Sequence, residues 1–169
     1  MSHRLALLLL LLLGSPVLAA EVTGSLRAGL GVGVASGFNE PSLLSAGVRG
    51  QLGALLSGEH AVFGVARLQP LSDLRLRDQA LSFSLGVGYE RRFALYQGWR
   101  PTLGVTVGVG AAELCAQDVC NMRGPAAGLD LGLHRLLGER AHLVLSAELL
   151  TVVGAGVVEG TLLLPTAWA

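Results

Sequence analysis

Apolar and polar residues alternate along most of this chain, most clearly from Trp99 to Ala111. The odd positions there are Trp99, Pro101, Leu103, Val105, Val107, Val109 and Ala111, and the even ones are Arg100, Thr102, Gly104, Thr106, Gly108 and Gly110. Successive side chains of a β-strand point to opposite faces, so a period of two sorts these sets onto two sides. A greasy side and a small or polar side, sustained for about ten residues, is the pattern of a strand running between lipid and a lumen. Pro101 stands at the strand's beginning, where a missing backbone donor is tolerated.

The same split recurs in five further segments. From Val22 to Val34 the second face carries Thr23, Ser25, Arg27 and glycines, while Leu44, Ala46, Val48 and Leu52 oppose Ser45, Gly47, Arg49 and Gln51. Leu81, Phe83, Leu85, Val87 and Tyr89 oppose Ser82, Ser84, two glycines and Glu90. Ala127, Leu129, Leu131 and Leu133 oppose Gly128, Asp130, Gly132 and His134, and Leu143, Leu145, Ala147 and Leu149 oppose His142, Ser146 and Glu148. His60 to Gln69, with an ambiguous face, and Gly156 to Thr166, nearly all apolar, bring the count to eight strands, an even number as bacterial single-chain barrels have.

Such a barrel alternates long outer loops with short periplasmic turns. The outer connections are expected at Ser36 to Leu43, Pro70 to Gln79 and Ala112 to Gly124, with a short fourth near Gly154-Ala155-Gly156. Tight turns are expected near Ser57-Gly58-Glu59, Ala94 to Gly98 and Leu137-Gly138-Glu139. Tyr89, Phe93, Tyr96, Trp99 and Trp168 then fall at the periplasmic end, as an interfacial aromatic belt.

Composition agrees with a chain made for lipid. Hydrophobic residues make up 51% of it, yet beyond Ala20 every apolar stretch is soon interrupted, which excludes a helical membrane protein by length. Only helices and closed barrels satisfy their backbone hydrogen bonds in hydrocarbon, so a greasy chain without long runs points to the barrel. The 24 glycines fit a crowded interior, where they leave room for larger neighbours. Twelve basic residues, all arginine, balance twelve acids, so no net charge draws in nucleic acid.

The beginning of the chain sets the compartment. Arg4 precedes an unbroken apolar run from Leu5 to Leu13, and Gly14-Ser15-Pro16 then breaks any helix, as in a secretory signal peptide. The run falls short of the roughly 20 residues a helix needs to span a bilayer. Cleavage is expected after Ala19, or one residue later, leaving residues 20–169 as a single barrel domain. The expected fold is thus all-β, an eight-stranded antiparallel up-and-down transmembrane barrel preceded by a signal peptide and located in a bacterial outer membrane.

These features, with glycine-rich runs such as Leu103-Gly104-Val105-Thr106-Val107-Gly108-Val109-Gly110, resemble the small outer-membrane barrel families of OmpA, OmpX and OmpW. The resemblance is architectural and covers the whole chain after the signal. It implies outer-membrane lipid and lipopolysaccharide as surroundings, insertion by the barrel-assembly machinery, and a monomer.

Alternation places Arg27, Arg49 and Arg100 in the lumen together with Glu90, Asp130 and Glu148. An eight-stranded lumen is just wide enough for side chains, so these charges are expected to form a self-neutralising plug rather than an ion path. His142, Ser146 and Glu148 are the residue types of a hydrolytic triad, and some small barrels are lipid A deacylases or acyltransferases. Spread along one strand at about 7 Å per residue pair, however, they do not bring nucleophile and base within reach. His134 and His142 lack the further ligands that a metal needs, and no cofactor is expected. Cys115 and Cys120, in the longest outer loop of an exported chain, are expected to form a disulfide. The expected function is a non-enzymatic barrel displaying surface loops for a structural or recognition role, with a lipid A-modifying enzyme and a narrow solute channel as alternatives.

Overall fold

The computed structural model describes residues 21–36, 42–56, 58–73, 79–116, 119–137, 142–154 and 160–169. The expected signal peptide lies outside these residues. Eight strands follow one another: β1 (Glu21–Ser36), β2 (Ser42–Leu56), β3 (His60–Asp73), β4 (Gln79–Arg92), β5 (Trp99–Ala116), β6 (Val119–Leu136), β7 (His142–Gly154) and β8 (Gly160–Trp168). Each pairs antiparallel with its sequence neighbours, and β1 pairs with β8, closing the barrel. Paired residues traced once around from Glu21, through Leu55, Ala61, Glu90, Gly104, Asp130, Glu148 and Thr166, lead back to Gly31, ten residues farther along β1. That stagger tilts the strands, so residues paired across the sheet stand at different heights along the barrel axis.

The outside is apolar and the inside closed. Val22, Leu26, Leu30, Leu52, Leu85, Val107, Leu131 and Leu149 are exposed on the wall, while Thr102, Thr106, Ser82 and Ser84 are buried between them. An apolar girdle around a closed barrel is the arrangement that satisfies every strand in a bilayer. Glycines admit the larger inner side chains: a Cβ on Gly88 would lie 2.4 Å from the Phe63 ring, and one on Gly128 would lie 2.5 Å from Thr106 Oγ1.

The two strands with weak alternation have definite faces. On β3, Ala61, Phe63, Val65, Arg67, Gln69 and Leu71 point inward, so both apolar and charged residues share the inner side. On β8, Leu162, Leu164, Thr166 and Trp168 point inward and Leu163 outward. Trp168 therefore leaves the expected belt: it is 2% exposed, and its indole Nε1 donates to Glu148 Oε2 at 3.0 Å. Among the described residues the belt consists of Tyr89, Phe93, Tyr96 and Trp99. His60 stacks on Tyr89, and the guanidinium groups of Arg91 and Arg135 each lie 5.3 Å from the ring centres of Phe93 and Trp99.

The periplasmic connection between β4 and β5, residues 93–98, closes on a two-residue turn. Tyr96 and Trp99 exchange both backbone hydrogen bonds, and Gln97 and Gly98 have φ of 50° and 80°. Positive φ at both central residues matches the right-handed twist of the flanking strands. On the outer side, the connection expected from Ala112 to Gly124 is no long loop. β5 and β6, the longest strands at 18 residues each, continue through it as a hairpin, with a bulge between Ala112 and Cys115. β3 likewise runs past Pro70 to Asp73.

Candidate functional site

The lumen has two storeys. In its middle, Arg27, Arg49 and Arg67 are consecutive cross-strand partners on β1, β2 and β3, and Asp130 and Glu148 are cross-strand partners on β6 and β7. Three cations thus stand side by side on one wall and two acids on the opposite wall, all at most 4% exposed. Like charges directly opposite one another repel, so this row depends on the acids that reach it across the lumen. Arg67 meets Glu148 with both Nε, at 3.0 Å from Oε2, and Nη2, on Oε1. Arg49 Nη1 contacts Asp130 and lies 3.3 Å from Glu148 Oε2. Arg27 Nη1 donates to Ser146 Oγ at 2.9 Å and approaches Asp130 only to 3.9 Å. Arg67 Nη2 also donates to Thr106 at 3.0 Å.

Arg67 was not among the lumen charges expected from the sequence, because β3 mixes apolar and polar residues on one face. Its spacing of two from Gln69, between outward Ala66 and Leu68, is the local signal for its direction. Arg100, expected in the lumen, lies elsewhere. Its parity is that of the inward Thr102, but it is the second residue of β5, at the barrel rim, where it is half-exposed and donates to the Gly58 carbonyl at 3.3 Å. Glu90 is separate from the central row: Arg92 Nε lies 3.0 Å from its Oε1, and His134 Nε2 lies 3.7 Å from its Oε2.

Toward the outer side the lumen turns apolar. Gln69 donates to Thr166 at 3.1 Å, and above that pair Leu43, Leu71, Ala112, Met122, Leu150, Val152, Leu162 and Leu164 pack into one buried cluster. An apolar storey is thus stacked on an ion-paired one, in a lumen of a width that side chains can fill.

Two of the three triad types, Ser146 and Glu148, are held in the ion-paired row. Ser146 is engaged by a guanidinium, and Glu148 by Arg49, Arg67 and Trp168. The His142 side chain lies outside the described residues. Among the described residues no cluster of three or more His, Cys, Asp or Glu could hold a metal. In the outer hairpin the strand register sets Cys115 directly opposite Cys120. Such partners have Cα atoms about 4.5–5.5 Å apart, within the span of a disulfide. The side chains of residues 114–121, and with them the bond itself, lie outside the described residues.

No protein-family model matches the sequence, and no curated protein does. Solved structures match the fold. The barrel is similar to Neisserial surface protein A (NspA), with a TM-score of 0.63 at 12% identity over 88% of this chain and 96% of that one. It is also similar to Ail, the attachment invasion locus protein of Yersinia pestis, with a TM-score of 0.50 at 14% identity over 88% of this chain and 97% of that one. The chain has the architecture of a bacterial outer-membrane β-barrel.

Proposed function

We propose that this chain is a non-enzymatic outer-membrane barrel whose sealed wall presents its outer hairpins for a structural or recognition role at the cell surface. The observation that carries this reading is the doubly filled lumen, an ion-paired row beneath an apolar cluster, which favours a scaffold over a channel. The extended β5–β6 hairpin, with its opposed cysteines, is the element best suited to display. The similar barrels agree with the reading by name, one as a surface protein and the other as an attachment invasion locus protein. Outer-membrane lipid and lipopolysaccharide surround the monomeric barrel, and the barrel-assembly machinery inserts it.

The test compares the lipid A of cells with and without the protein by mass spectrometry. An unchanged acyl pattern is expected of a display scaffold. A changed pattern that reverts in Ser146→Ala would overturn it in favour of the lipid-modifying enzyme.

A further inference from the structure

We infer that the periplasmic half of the lumen holds a binding site for a small oxyanion, such as a phosphate group. The central row carries three guanidinium groups against two carboxylates. Glu148 is committed to Arg67 and Arg49, and Asp130 to Arg49. The cation left short is Arg27, whose near partner is the neutral hydroxyl of Ser146 and whose approach to an acid is 3.9 Å. Arg27 is thus the one guanidinium of the row with no carboxylate at hydrogen-bond distance.

Arg27 borders a cavity of about 380 Å³ on the periplasmic side of the row, lined also by Gln51, Glu90, Arg92 and His134. The cavity extends to Thr23 and Leu143, near the rim, so a ligand enters from the periplasm. Two buried polar atoms of its wall have no partner among the described residues, Arg27 Nε and Gln51 Nε2, and both are donors. The acceptor of Gln51 is already taken, since Ser25 donates to its Oε1 at 3.0 Å. Glu90, whose side chain is the carboxylate among those lining the cavity, is likewise engaged, by Arg92 at 3.0 Å and with His134 at 3.7 Å. Unspent donors beside an under-compensated guanidinium call for an acceptor carrying negative charge. A free oxyanion and the phosphate of a lipid headgroup share that chemistry.

The experiment uses the full barrel refolded in zwitterionic detergent micelles. Inorganic phosphate is titrated by calorimetry, and in a parallel arm phosphatidylglycerol retention is read by native mass spectrometry. Wild type is expected to show saturable binding in one arm, the first identifying a free anion and the second a headgroup. Gln51→Glu, which places a carboxylate beside Arg27 and leaves the ion-paired row intact, should weaken that binding about tenfold or more, the equivalent of one lost charge-assisted contact. Arg27→Gln should do the same, and heat-modifiable gel migration shows whether each variant has folded. Absence of saturable binding in both arms, or wild-type affinity in folded Gln51→Glu, would overturn the site.

Discussion

Arg67 and Glu148 face each other across the lumen in a two-point contact, Nε to Oε2 at 3.0 Å and Nη2 to Oε1, joining the third strand to the seventh. Both are buried, and Glu148 also receives Trp168 Nε1 at 3.0 Å. Removing one member leaves the other buried without its counter-charge, which costs about 3–5 kcal/mol. Arg67→Met and Glu148→Leu should each lower stability by that order, and the double variant by less than their sum. Arg100→Ala, at the rim, should cost roughly 0–1 kcal/mol. Urea unfolding of barrels refolded in lipid vesicles measures all four, and equal losses for Arg67→Met and Arg100→Ala would show that the pair does not hold the barrel.

Val105 is 48% exposed on the wall and its neighbour Thr106 is 4% exposed in the lumen. An arginine on the lipid face near the bilayer midplane costs about 2–4 kcal/mol. Val105→Arg should therefore destabilise the refolded barrel clearly more than Thr106→Arg, with Val105→Ser and Thr106→Ser as mild controls. The reverse order in a denaturant titration would mean that this strand's faces are exchanged.

Planar-bilayer recordings should show no steady conductance from wild type, because charge and packing each close the lumen. Arg67→Met should stay closed as well, since the cluster around Leu162, Leu164 and Met122 remains. A stable open pore in wild type would refute the sealed lumen.

Mass spectrometry of the unreduced protein should show Cys115 joined to Cys120, lighter than the dithiol by two hydrogens. Alkylation of both thiols without reductant would remove the staple. Closing so short a loop is expected to add little to global stability, since the entropic gain grows with loop length. Its effect should be confined to protease resistance of the hairpin tip.

Six strands were legible because a chain between lipid and a lumen must alternate wherever the lumen is polar, as Val105 and Thr106 do. The alternation fades where the lumen itself is apolar. On β8, Leu162 and Leu164 point inward and Leu163 outward, so hydrophobicity could not separate the faces, and Thr166 is what marks the inner side. Trp168 was misplaced for the same reason, its inward indole being indistinguishable in sequence from a belt residue. Arg100 shows a different limit, since parity tells direction but tilt and distance from the turn decide height. The hairpin through Cys115 and Cys120 was hidden because polar outer strands have the composition of loops. Arg67 needed knowledge of what lies across the lumen, which no local pattern holds.

The row of arginines has a consequence for how the chain finds its alignment. Alternating hydrophobicity repeats every two residues, so sliding one strand past its neighbour by two leaves every apolar side chain on lipid. The girdle alone cannot tell the correct stagger from its neighbours. A two-residue slip, about 7 Å, of β5 to β8 against β1 to β4 would carry Asp130 and Glu148 away from Arg49 and Arg67 and strand three like charges beside one another. The buried charges thus work as a vernier scale, a coarse repeat read against a single fine mark, and they let only one of many equally greasy cylinders close.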